Sequence, residues 1–134
     1  MSHQLGIPKA ALNSLIQLVD HNAQVKPGQE VIIGAHIDGA YGSENLVDET
    51  AVSWVQAVVQ SRGANCSILW IDEVMKKHEW RVPPILKGAI ANADLFINFS
   101  LDLAIEENAE FRKYIEEVKT WYVRMFPVTT SLLM

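Results

Sequence analysis

Carboxylates follow three predicted strands of this chain, at the point where each strand ends. Asp38 closes the segment VIIGAHID, Asp72 and Glu73 close SILWIDE, and Asp102 closes LFINFSLD. Helix-length segments separate these strands, which is the spacing of parallel strands joined by crossover helices. The carboxyl ends of parallel strands meet at one edge of a sheet, and ligands of open α/β sheets bind there. We therefore expect these acids to line a ligand site.

Two further side chains extend this acidic set. His36 stands two residues before Asp38, so both side chains leave the same face of an extended chain. That pair suits a metal site or a base with its orienting acid, but we favour the structural interpretation, in which the histidine forms a local hydrogen bond and the aspartate caps a loop. Ser100 adds a hydroxyl after the third strand, and together these groups suit a polar, cationic ligand. The predicted ligand-binding residues are His36, Asp38, Asp72, Glu73, Ser100 and Asp102.

The motifs of the common catalytic and nucleotide sites are missing from the sequence. Gly34, Gly39 and Gly42 are spaced differently from both the dinucleotide fingerprint and the phosphate loop. No second histidine or cysteine near His36 completes a zinc set, and no serine stands in a nucleophile elbow. The sequence therefore leaves the catalytic residues unknown, and we predict no metal ligand in this chain.

The periodicity of apolar residues predicts the elements that must position these side chains. Apolar residues at helical spacing alternate with short β-branched or aromatic runs. We predict an α/β fold, a Rossmann-like open sheet of about four mainly parallel strands with helices on both faces. The predicted helices lie at 8–22, 47–62, 85–92 and 111–118, and the predicted strands at 31–38, 67–71, 95–99 and 121–126.

Length, charge and cysteine use limit the class of protein. The 134 residues suit one domain, and the net charge of −5 argues against a nucleic-acid surface, which needs clustered Lys and Arg. We find no signal peptide and no membrane-span-length apolar run, so we expect a cytoplasmic protein. The single cysteine, Cys66, cannot form an internal disulfide and is predicted to be a buried structural thiol.

The C-terminal residues bear on the domain organisation. Thr130 or Ser131 would cap a helix lacking its continuation, which predicts that residues 1–134 are the N-terminal lobe of a larger, two-domain protein.

Three segments carry a family resemblance. VKPGQEVIIGAHIDG, SRGANCSILWIDE and NADLFINFS resemble the N-terminal domain of the thermophilic-type leucyl metallo-aminopeptidases and of the related 2,5-dihydroxypyridine ring-cleaving dioxygenases. In those families a VKPGE-type segment introduces the first strand, a Gly-Ala pair precedes the second, and ADL or ADV opens the third. The resemblance spans about residues 8 to 126. It implies a dimeric, two-domain metalloenzyme whose divalent metal is held by the C-terminal domain, so that this chain carries no cofactor and is inactive when isolated.

Three functions remain open from the sequence. The first is a lobe of a metallo-aminopeptidase-like or dioxygenase-like enzyme, lining the active-site cleft and binding a peptide or small-molecule substrate. The second is a stand-alone small-ligand binding module that uses the acidic edge of the sheet. The third is a domain that holds a homo-oligomer together through Trp80, Trp121 and the apolar C-terminal residues.

Overall fold

A four-stranded parallel sheet, in the order β2-β1-β3-β4, forms the centre of the fold. The computed structural model describes residues 6–36, 48–71, 84–99, 109–124 and 130–134. The strands are β1 (Glu30–His36), β2 (Asn65–Ile71), β3 (Leu95–Phe99) and β4 (Trp121–Arg124). The helices are α1 (Lys9–Ile16, continued as a π-helix over Gln17–Asn22), α2 (Glu49–Ser61), α3 (Pro84–Ala91), α4 (Ala109–Glu117) and α5 (Thr130–Leu133).

Strand register brings the carboxyl ends together as the sequence predicts. β1 pairs with β2 from Glu30 opposite Asn65 to His36 opposite Ile71. β3 flanks β1 on its other side and ends with Phe99 opposite Ala35. Because the three strands are parallel and in this register, their carboxyl ends lie at one edge of the sheet, which we call the carboxyl edge.

Helices cover both faces of the sheet, and each face has its own apolar core. On one face α1, α2 and α5 pack against alternate residues of β1 and β3, such as Ile33 and Ile97. On the other face α3 and α4 pack against the intervening residues, such as Ile32 and Phe96. The central strand β3 is buried along its whole length, as parallel strands covered on both faces usually are, and the predicted α/β class is confirmed.

The order of the strands reverses once. From β1 the chain crosses over one face through α2 to β2, and it returns over the other face through α3 to β3 on the far side of β1. The chain moves along the sheet in opposite directions in these two crossovers and passes over opposite faces. Both crossovers therefore have the same handedness, in keeping with the chirality rule. The reversal places a topological switch point between the carboxyl ends of β1 and β3.

The first predicted helix forms, but its second half is a π-helix. Beyond Asn22 the chain turns at Gln24, whose φ of 55° lies in the left-handed region. The Val25 N–H donates to the carbonyl of Val19 over 3.1 Å and closes the helix end. This seven-to-one bond is one residue wider than the six-to-one bond of the Schellman motif, as the wider π-helical turn requires, and in that motif glycine usually occupies the left-handed position.

One position differs in detail from the sequence-based prediction. Asp48, predicted inside the helix over 47–62, is instead the N-cap of α2 and accepts from the Ala51 N–H over 2.7 Å. Gly34 lies inside β1, within the strand predicted over 31–38. A Cβ there would stand 3.0 Å from Cε1 of Phe96, so the missing side chain lets that buried ring lie against the strand.

Candidate ligand site at the carboxyl edge of the sheet

The six predicted ligand residues follow strands whose ends the structure places side by side. His36 is the last residue of β1, and its backbone lies opposite Ile71. The remaining predictions, Asp38, Asp72, Glu73, Ser100 and Asp102, lie outside the described residues. Their role in binding therefore stays a prediction.

The switch point divides the predicted residues into two groups. His36 and Asp38 come at and after the end of β1, and Ser100 and Asp102 come after β3, so both pairs follow the strands that flank the switch point. The pair that follows β2 belongs to an outer strand of the sheet. Since adjacent strands with connections on opposite faces leave a crevice between them, we expect the first group to matter more for binding.

Asn98 of β3 and Tyr122 and Arg124 of β4 carry polar side chains beside this crevice, on the face covered by α3 and α4, and we call these three residues the polar row. Gly34 of β1, Asn98 of β3 and Arg124 of β4 stand opposite one another in the strand register. Asn98 is fully buried, and Nδ2 of its amide donates to the hydroxyl of Tyr122 over 3.0 Å. A buried amide is tolerated in a sheet when hydrogen bonds satisfy it, so this contact fixes both side chains.

Tyr122 presents a neutral hydroxyl at this edge. Its ring lies 5.7 Å from that of Phe96 and 5.4 Å from that of Phe111, measured between centroids. Burial raises the pKa of the hydroxyl above its ordinary value of 10, although the Asn98 hydrogen bond and the charge of Arg124 act in the lowering direction. The hydroxyl therefore keeps its proton at neutral pH and remains a hydrogen-bond donor.

Two donors in the polar row are left without protein partners in the described part of the chain. The Tyr122 oxygen accepts from Asn98, and none of the described residues accepts its proton. Arg124 is exposed, and within the same ranges it has neither a hydrogen bond nor an ion pair. The row thus offers a hydroxyl proton and a guanidinium to an external acceptor.

Asn98, Tyr122 and Arg124 were not predicted from the sequence as site residues. Asn98 is the polar member of the otherwise apolar strand LFINF, and a polar residue inside a fully buried strand needs a partner. Tyr122 and Arg124 are two residues apart on a strand and so share a face. These signals were present in the sequence, but choosing Tyr122 as the partner of Asn98 required the pairing of β3 with β4.

Clefts lined by described residues also occur away from the carboxyl edge. A cleft of about 500 Å³ lies between α1 and α5 and is lined by Asn13, Ser14, Gln17, Leu18, Leu132 and Leu133. Another, of about 310 Å³, lies near the start of β1 and β4 and includes Lys26 and Trp121. Neither cleft carries a side-chain set that indicates a reaction.

The described residues do not supply a metal-binding cluster. In the ranges that the structure covers, no group of three or more His, Cys, Asp or Glu side chains converges. Cys66 is a free, buried thiol, as predicted, and burial raises its pKa to about 12. A thiol of that pKa is protonated at neutral pH and is a poor nucleophile and metal ligand.

The structure describes some of the residues predicted to hold a homo-oligomer together. Trp121 is 59% exposed, and Leu132 and Met134 are each 63% exposed. Trp80 lies outside the described residues. No described helix has the length and apolar run needed to span a membrane. A homo-oligomer stays a prediction.

Comparison of the chain with family models, with curated proteins and with solved structures gave no match. The resemblance to the metallo-aminopeptidases therefore rests on the three short segments quoted above.

Proposed function

We propose that this chain is the α/β lobe of a metallo-aminopeptidase-like peptide hydrolase and binds part of a small peptide at the switch point between β1 and β3. The observation that supports the proposal is the single reversal of strand order, which gives a switch point between the ends of β1 and β3. In the sequence His36 and Asp38 stand at and after the end of β1, and Ser100 and Asp102 follow β3. The three family-like segments support the same assignment, because they include the strands β1, β2 and β3.

In this proposal the lobe binds and orients substrate and does not perform hydrolysis itself. The described residues do not fit a metal, since none of their acidic, histidine or cysteine side chains forms a cluster of three. We therefore derive no chemical step through a metal on this lobe. Hydrolysis is the task of a metal-bearing domain across the cleft.

A titration of the isotope-labelled chain with a dipeptide such as Ala-Ala tests the location of binding. We expect backbone amide shifts in Gly34, Ala35, Asn98 and Phe99, which lie near the carboxyl ends of β1 and β3. Gly28 and Asn65, at the opposite edge, serve as internal controls because they should not shift. Shifts confined to the cleft between α1 and α5 would count against the proposal.

Two matched alanine variants test the role of the switch point. Asp38 follows β1 and Asp72 follows β2, so each variant removes one carboxylate next to a strand end. We expect Asp38→Ala to weaken dipeptide binding more than Asp72→Ala. Equal affinities for both variants and the unmodified chain would show that the acids are not the site.

The stand-alone binding module remains the second candidate, because the described residues supply free donors of their own at the carboxyl edge. Calorimetry with nucleotides, amines and divalent metals separates the two functions. Tight binding of one of these ligands, with no binding of dipeptides, favours the module. Cleavage of a leucine anilide by the isolated chain would contradict the inactive lobe.

A further inference from the structure

The end of β4 brings two hydrogen-bond donors onto one face of the sheet. Tyr122 and Arg124 are two residues apart, and side chains at that spacing leave a strand on the same side. Arg124 lies opposite Asn98, whose amide reaches the Tyr122 hydroxyl. The charge of Arg124 acts to lower the pKa of the Tyr122 hydroxyl, in keeping with the place of both residues on one face of β4.

Asn98 sets the direction in which the Tyr122 hydroxyl donates. Its Nδ2 occupies a lone pair of the phenolic oxygen from the buried side, 3.0 Å away. The proton of the Tyr122 hydroxyl is therefore directed away from Asn98, and none of the described residues accepts it. A half-buried hydroxyl without an acceptor loses free energy relative to water, so a ligand atom that accepts from it is favoured.

Arg124 supplies the charge that such an acceptor would need. A solvated arginine on a surface is common, and by itself it does not indicate a site. Here it stands in an acidic chain of net charge −5 and has no carboxylate partner within the described ranges. A planar guanidinium beside a hydroxyl donor matches two oxygens of a carboxylate or phosphate, which accept from such forks bidentately.

We propose that Arg124 and the Tyr122 hydroxyl bind an oxyanion at the carboxyl edge, and that in the physiological ligand this oxyanion is the carboxylate of an amino acid or short peptide. Asn98 is a positioning residue, because it acts through Tyr122. The choice of a carboxylate rests on the proposed function, whereas the oxyanion site rests on the polar row alone.

Titrations of the isotope-labelled chain with acetate, inorganic phosphate, Ala-Ala and Ala-Ala amide test the inference. Binding is measured from the chemical shifts of the backbone amides and of the side-chain Nε–H of Arg124.

Three variants test the residues of the site. Arg124→Gln removes the charge at an exposed position, and Tyr122→Phe removes the hydroxyl but keeps the ring. Lys119→Gln is the matched control, because Lys119 is an exposed cation that precedes the opposite end of β4. We expect Arg124→Gln to weaken anion binding about tenfold, Tyr122→Phe to weaken it several-fold and Lys119→Gln to leave it unchanged.

The outcomes separate this inference from the proposed function. Equal losses in Arg124→Gln and Lys119→Gln, or no saturable shift with either anion up to about 0.1 M, would overturn the oxyanion site. Equal binding of Ala-Ala and its amide would also overturn it, while leaving peptide binding intact. Binding of both simple anions through Arg124, without binding of either dipeptide, would support the oxyanion site and reject the proposed function. Phosphate binding tighter than every carboxylate would overturn the assignment to a carboxylate.

Discussion

Asn98 and Tyr122 join β3 to β4 through their side chains, with the amide Nδ2 of Asn98 3.0 Å from the hydroxyl of Tyr122. The contact lies on the face covered by α3 and α4, where the rings of Phe96 and Phe111 surround Tyr122. This hydrogen bond thus gives the fully buried Asn98 amide an acceptor and holds the Tyr122 hydroxyl in place.

Removing the Tyr122 hydroxyl should destabilise the fold. In Tyr122→Phe the Asn98 amide loses an acceptor while it stays buried, which costs about 1–3 kcal/mol of unfolding free energy. Urea unfolding followed by circular dichroism measures the loss. In an Asn98→Leu background the same change should cost much less, because no amide is left unpaired. An equal cost in both backgrounds would show that the hydrogen bond is not the cause.

Gly34 should not tolerate alanine. The added Cβ would lie 3.0 Å from Cε1 and 3.3 Å from Cζ of Phe96, a fully buried ring. We expect Gly34→Ala to lower the unfolding free energy by about 1–3 kcal/mol through overpacking. Gly88→Ala is the control, since Gly88 lies in α3 with nothing within 4 Å of the new Cβ. It should stabilise the protein by about 0.5–1 kcal/mol. A neutral Gly34→Ala would contradict the close approach.

Replacing Gln24 with glycine should stabilise the folded protein. Gln24 has a φ of 55° at the end of the π-helix, where a side chain is disfavoured. We expect Gln24→Gly to raise the melting temperature, with a gain of up to about 1 kcal/mol. Gln17→Gly, inside the helix, should instead cost about 1 kcal/mol. If both variants are destabilised alike, Gln24 is not strained.

The ion pair of Asp20 with Arg62 should contribute little to the free energy of unfolding, and this contribution should vanish in acid. Nε and Nη2 of Arg62 lie 2.7 and 2.9 Å from the two carboxylate oxygens. The Arg62 hydrogen bond lowers the pKa of Asp20 below 3.8. A lowered pKa gives stability that is present above 3.8 and is lost as the pH falls through the folded value.

We expect Asp20→Asn to cost less than about 1 kcal/mol at neutral pH, because both side chains are partly exposed. Chemical unfolding at a series of pH values measures the difference from the unmodified chain, which should shrink below pH 3.8 and in high salt. Glu116→Gln removes one carboxylate at an exposed position without an ion pair in the described ranges and is the matched control. A pH-independent cost would contradict the assignment.

Cys66 should make the protein less stable in alkali. Burial raises the pKa of the thiol from 9.0 to about 12. A raised pKa means that the stability is fully present below 9.0 and is lost as the pH rises towards 12, because the unfolded chain ionises first. The difference in unfolding free energy between the unmodified chain and Cys66→Ala measures this loss. A difference that is constant across pH 9–12 would contradict it.

Thiol labelling gives an independent measurement. Cys66 should react with an aromatic disulfide reagent at pH 8 only slowly, and at the ordinary rate of a free thiol once urea unfolds the chain. Fast labelling of the folded protein would show that the thiol is accessible.

Local patterns in the sequence were sufficient for the elements and their class. The apolar run Leu95–Phe99 was predicted with the bounds that the structure has, and the buried state of Cys66 was predicted because free cysteine is among the most buried residue types. Such predictions succeed because periodicity and burial preference act over a few neighbouring residues. The π-helical second half of α1 and the close approach of the Phe96 ring to Gly34 were not predicted, since the first depends on how the helix ends and the second on a ring from another strand.

The candidate site divides in the same way. By itself the sequence determined that polar and acidic residues follow the strands, because strand ends and chemical types are local properties. Only the tertiary structure decided that β3 returns beside β1, which places the switch point between them, and that β4 lies next to β3. Strand order arises from helices packing on opposite faces, a non-local choice that the alternation of elements does not encode. That choice brings Asn98 to Tyr122 and places Arg124 in the same row.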